Sequence, residues 1–94
     1  MATRHERFEW DDGKAASNLA KHGVSFRSAS MALKHDQRAV ETLDDRRRYG
    51  EMRVNSIAWH DGVLLTVCWT RRGEVTRIIS ARIAGRRERK RYDA

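Results

Sequence analysis

Apolar positions along this chain change their spacing once, near Gln37, from a helical period to alternation. Before that point, the polar residues 1–7 predict a loose lead-in, and Arg7-Phe-Glu-Trp10 alternates as a short edge strand would. Asp11 or Asp12 then suits an N-cap, and Lys14 to His22 reads as a helix closed by Gly23 at C′, with Val24 as the apolar residue that seals such a cap. Ser25 can cap a second helix in which Phe26, Ala29 and Leu33 fall on one face. The two helices are expected to form an αα-hairpin with its apolar side turned inward.

Beyond Gln37 the pattern predicts strands. Arg38 to Leu43 is one, Asp44 to Gly50 a charged loop carrying Arg46-Arg47-Arg48, and Met52 to His60 a second strand. Asp61-Gly62 is a favoured two-residue hairpin turn, Val63 to Arg71 the return strand, and Arg72-Gly73 a second tight turn into Glu74 to Arg82. The last dozen residues form a charged helix or tail. This is an α+β layout, a helical hairpin on an antiparallel meander with a short C-terminal helix. One domain over 1–94 is expected, with 1–6 and 93–94 flexible.

The two turns set a register. His60 should face Val63 and Asn55 should lie opposite Cys68, while the second turn puts Cys68 opposite Arg77. One sheet face then carries Val54, Ala58, Val63, Leu65, Val67, Trp69 and Ile78, apolar enough to receive the helices. The other carries Arg53, Asn55, Thr66, Cys68, Thr70 and Arg77, a polar patch with two arginines. Trp59 and Trp69 are expected in packed positions rather than as base-stacking platforms.

Charge changes the picture more than length does. Twenty Lys and Arg against 13 Asp and Glu give +7 and a pI near 10.5. Seven of the cations stand in Arg77-Ile-Ile-Ser-Ala-Arg82 and Arg86-Arg-Glu-Arg-Lys-Arg-Tyr92. Guanidinium forks match phosphate oxygens, and a core does not need so many in one place, so nucleic acid or an acidic protein is the expected partner. One cysteine excludes an internal disulfide and suits a reducing cytoplasm. No apolar run reaches membrane-spanning length and no signal-peptide pattern opens the chain, so a cytoplasmic location without membrane contact is expected. His5, His35 and His60 are scattered and predict no metal site with Cys68, and no cofactor is expected.

Phe8-Glu-Trp-Asp11, Lys14, Asn18, Lys21-His-Gly-Val24, Phe26 and Ala29 open the chain, and Arg77-Ile-Ile-Ser-Ala-Arg82, Arg87-Glu-Arg89 and Tyr92 close it. With these motifs the sequence resembles the BrnT family of bacterial toxins over nearly its whole length. It departs from the family pattern at Lys34-His-Asp-Gln37, which lacks a proline after the aspartate, and at Ala58, where a glycine is common. The resemblance implies a type II toxin–antitoxin system, a RelE-like ribonuclease fold and a small DNA-binding antitoxin, BrnA. An antitoxin dimer would give a two-plus-two assembly that reaches DNA only through the antitoxin.

Metal-free RNA cleavage needs groups that position a phosphate, stabilise its added charge and move two protons. Arg53 and Arg77 fit the charge role by register, and Arg82, Arg86 and Arg87 by nearness in sequence, with Asn55 beside them as an RNA contact. Tyr92 can stack on a base or assist proton transfer; packing of the C-terminal helix explains it equally well. Lys21 is explained by the helix dipole and cap, and remains an RNA-contact candidate. His22 is kept as a proton-transfer candidate, because imidazole changes charge near neutral pH. A different class also fits the arginines: a non-catalytic basic module that joins a partner in repressing transcription.

Overall fold

The computed structural model describes residues 3–44 and 51–94. In chain order they form β1 (Arg7–Glu9), α1 (Asp12–His22), α2 (Phe26–His35), β2 (Val40–Asp44), β3 (Arg53–His60), β4 (Val63–Arg72), β5 (Val75–Ile83) and α3 (Arg86–Asp93). The Arg46-Arg47-Arg48 run lies outside the described residues. The α+β class is as the sequence predicts.

The helix boundaries follow local chemistry. The Asp11 carboxylate accepts the Lys14 amide at 2.9 Å, and Gly23, at φ 68°, closes α1 by donating to the Leu19 carbonyl. The Ser25 hydroxyl accepts the Ser28 amide to start α2. Of the two candidates, Asp11 is the cap and Asp12 begins the helix. Both helices lie on one face of the sheet, α2 across β3, β4 and β5 and α1 along β5, and each meets the sheet more than it meets its neighbour. The interior consists of Val24, Phe26, Ala29, Ala32 and Leu33 against Ala58, Leu65, Val67, Trp69, Ile78 and Ala81.

The sheet runs β1-β5-β4-β3-β2. It is mixed rather than an antiparallel meander, because β1 pairs with β5 in parallel. That pairing is far from local in sequence, with Arg7 opposite Val75 and Glu9 opposite Arg77. The first hairpin is as expected: Asp61 and Gly62 have φ of 49° and 80°, His60 faces Val63 and Asn55 faces Cys68.

The second hairpin differs. Gly73, at φ 60°, is the first central residue of its turn, so Arg72 faces Val75 and the loop is Gly73-Glu74. Arg77 consequently pairs with Thr70, not Cys68, and Cys68 pairs with Ser80 across a bulge. The bulge has a packing cause. Ile78 and Ala81 are both 1 % exposed on the helix-bearing side, and their three-residue spacing cannot be met by strict alternation. The extra residue also re-aims Arg82, which pairs with Thr66 on the side away from the helices.

The segment before β1 is built in. Thr3 bonds the Glu41 carboxylate through its amide and hydroxyl, both at 2.8 Å. His5 is 4 % exposed, with Nδ1 2.7 Å from the Thr76 hydroxyl and its ring edge-on to Trp69. Burial, aided by the Arg71 guanidinium and opposed by Glu41, lowers its pKa from 6.5 to about 4. The unfolded chain therefore takes up a proton below pH 6.5 that the folded chain refuses until pH 4. The stability held above pH 6.5 should fall progressively between these values, by up to about 3 kcal/mol. Urea midpoints of the native chain and of His5→Gln across this window test it. Equal pH slopes for the two would refute it.

Candidate functional site

On the sheet face away from α1 and α2 lies a hollow of about 290 Å³. β3 supplies Arg53 and Asn55, β4 supplies Thr66 and Cys68, and β5 supplies Ile79, Ser80 and Arg82. Glu88 of α3 closes one side. Asn55, Cys68 and Ser80 form one row across the three strands. Arg82 and Ser80 reach the hollow because of the bulge, since in unbroken alternation Arg82 would sit opposite Leu65.

α3 runs back over this face and packs on β3. Beneath it Ile57 and Leu64 are buried, outside the main core cluster. The Tyr92 hydroxyl donates to Asp36 at 2.8 Å, and the same carboxylate oxygen accepts the Trp59 amide at 2.8 Å. Arg91 bonds the Thr42 hydroxyl. α3 is thus fastened at its far end to β2 and to the exit of α2. Burial and the Asp36 hydrogen bond raise the Tyr92 phenol above its ordinary pKa.

The near end of α3 is fastened by charge. Arg82 and Glu88 meet fork to fork at 2.7 and 2.8 Å, and Glu88 Oε1 also accepts the Gly85 amide at 2.7 Å. The Arg82 hydrogen bonds hold the Glu88 carboxyl down at about 2 against the opposing effect of burial, with smaller help from the Gly85 amide, and Glu88 in turn raises Arg82. A carboxyl so acidic is a poor proton acceptor near neutral pH. Its part is to fix the plane of the Arg82 guanidinium at the rim.

The predicted site residues divide accordingly. Arg53, Asn55 and Arg82 come together in the hollow. Arg77 lies on the same face by alternation, since Thr70 follows Cys68 by two, but it stands at the β1 edge in an ion pair with Glu9 and does not line the hollow. Arg86 and Arg87 are exposed in the first turn of α3. Tyr92 is half-buried on Asp36. Lys21 and His22 are exposed at the end of α1, which packs on the opposite face of the sheet. Trp69 is buried as expected and donates to Ser56 at 2.8 Å, whereas Trp59 is 43 % exposed. Glu88 was not singled out from the sequence, although Gly85-x-x-Glu88 at a helix start is a capping signal.

A small basic α+β protein with arginines converging on one hollow of its sheet has the features of a protein that handles phosphodiesters. Among the described residues no helix is long and apolar enough to cross a membrane, and no three His, Cys, Asp or Glu converge. The chain belongs to the BrnT family: residues 10–88 match the family model described as ribonuclease toxin, BrnT, of type II toxin-antitoxin system. It is accordingly a ribonuclease toxin of such a system. No curated protein matches the chain.

Proposed function

We propose that this toxin is a metal-independent endoribonuclease acting in the hollow between β3, β4 and β5. The ribose 2′-oxygen attacks the adjacent phosphorus, the bond to O5′ breaks, the 2′-OH proton leaves to a base and the leaving oxygen gains one. The products are a 2′,3′-cyclic phosphate and a 5′-hydroxyl. Arg53 and Arg82 hold the phosphate and offset its developing charge, and Asn55 orients it. Arg77, Arg86 and Arg87 extend the cationic path for the strand on either side. The observation that carries this reading is the grouping of Arg53, Asn55 and Arg82 over one cavity.

The fold is read as RelE-like and the partner as a BrnA-like antitoxin, dimeric, in a two-plus-two complex that contacts DNA through the antitoxin. The toxin works in the cytoplasm, where its RNA is. Incubation with labelled RNA and with DNA of the same sequence, each with and without EDTA, tests the chemistry. RNA cut equally with EDTA and intact DNA are expected. Cleavage that requires magnesium would overturn the mechanism.

A further inference from the structure

Three exposed large hydrophobic side chains, Leu19, Val63 and Ile83, at 51, 39 and 51 % exposure, border one cavity of about 260 Å³. It lies where the α1–α2 junction meets the end of the β3–β4 hairpin, with buried Val24 and Leu65 as its floor. Leu65 and Ile83 pair across β4 and β5 on the helix-bearing side, so the cavity and the arginine hollow occupy opposite faces. Nothing in the proposed cleavage chemistry uses it. Two cations stand beside its lining in sequence: Lys21 is two residues before Gly23, and Arg27 directly precedes Ser28. Asp61 is the single acid among the lining residues.

We propose that this cavity anchors the antitoxin by seating an acidic amphipathic segment, with an apolar side chain in the socket and carboxylates towards Lys21 and Arg27. The proposal rests on the toxin reading given above. A side chain seated in a desolvated pocket can carry much of the binding energy at an interface, while complementary charge around it sets partner choice and orientation. A second copy of this chain fits less well, because a two-fold contact would set the same cations against each other on chains of +7 each. The proposal also gives Lys21 a role on the face where it lies, away from the hollow.

The test measures binding of the cognate antitoxin to the native toxin and to Leu19→Glu and Ile83→Glu, with RNA cleavage by each free toxin and circular dichroism as companions. Binding should weaken by roughly thirtyfold or more in both variants, while cleavage by the free toxin stays at the native level. Amide exchange of the native complex supplies a readout that needs no variant: protection should appear over residues 19–28 and 60–65. Native-like binding by both variants, or protection confined to the hollow strands and α3, would overturn the proposal. So would concentration-dependent dimerisation of the free toxin that Leu19→Glu abolishes, which would make the occupant a second copy. A native toxin that binds its antitoxin through this face but cuts no RNA would refute the cleavage reading and leave the docking surface standing.

Discussion

Arg53→Ala is expected to lower RNA cleavage by about a hundred- to a thousand-fold, the usual loss when one donor to a developing oxyanion is removed. Arg53 lines the hollow from the start of β3, half-buried, with the Glu51 carboxylate at 3.4 Å. Its charge acts where water is partly excluded, so it is poorly screened. Arg77 was given the same weight by the predicted register. At the β1 edge, paired with Glu9, it should act on the strand from a distance, and Arg77→Ala should cost far less than Arg53→Ala. Arg89→Ala, on an exposed position of α3, should act only through salt-screened attraction. Single-turnover cleavage at two salt concentrations, with circular dichroism for folding, separates these cases. An Arg53→Ala protein with native turnover would remove the hollow from the mechanism.

The helical half of this fold was legible because its signals are local. Asp11, Gly23 and Ser25 set the helix ends through contacts within a few residues, and Asp61-Gly62 sets the first hairpin in the same way. What was not legible depends on pairs distant in sequence. The parallel docking of β1 on β5, the burial of His5 against Trp69 and Thr76, and the return of α3 to Asp36 join residues far apart in the chain. The bulge lies between these cases. Its sign is the apolar spacing of Ile78 and Ala81, but that spacing becomes informative only once both are known to be buried.

Asp36 shows how a departure from the family pattern can leave the local architecture in place. The chain has no proline after it, yet its carboxylate accepts the Arg38 amide at 2.9 Å, the Trp59 amide and the Tyr92 hydroxyl. The turn out of α2 is therefore fixed by side-chain acceptance, without the restriction a proline would add. The same residue links that turn to the helix that carries Glu88. The geometry of the hollow rim therefore depends in part on a contact made outside the hollow.

Asn18→Ala should produce the largest loss of stability among single polar substitutions in the helices. Asn18 is buried in α1, and its amide donates to the Val24 carbonyl at 3.0 Å and the Ala81 carbonyl at 2.8 Å, while its oxygen accepts the Ala81 amide at 3.1 Å. One side chain thus satisfies the cap beyond α1 and both backbone groups of a β5 residue next to the bulge. Truncation leaves three backbone groups short of a partner in a place water barely reaches. Each such group costs about 1–3 kcal/mol, partly relieved by relaxation, so a total of about 3 kcal/mol is expected. For a domain of this size that corresponds to a drop in melting temperature on the order of 15 °C. Asn18→Asp should do no better, because it keeps the acceptor but loses both donations and buries a charge. Because Ala81 precedes Arg82, the variants should also lose cleavage at temperatures where they remain folded, as the aim of Arg82 into the hollow loosens. Thermal melts and cleavage rates of both variants, taken well below their midpoints, check the two parts separately. A shift in melting temperature below about 4 °C would show that Asn18 does not pin β5 to α1.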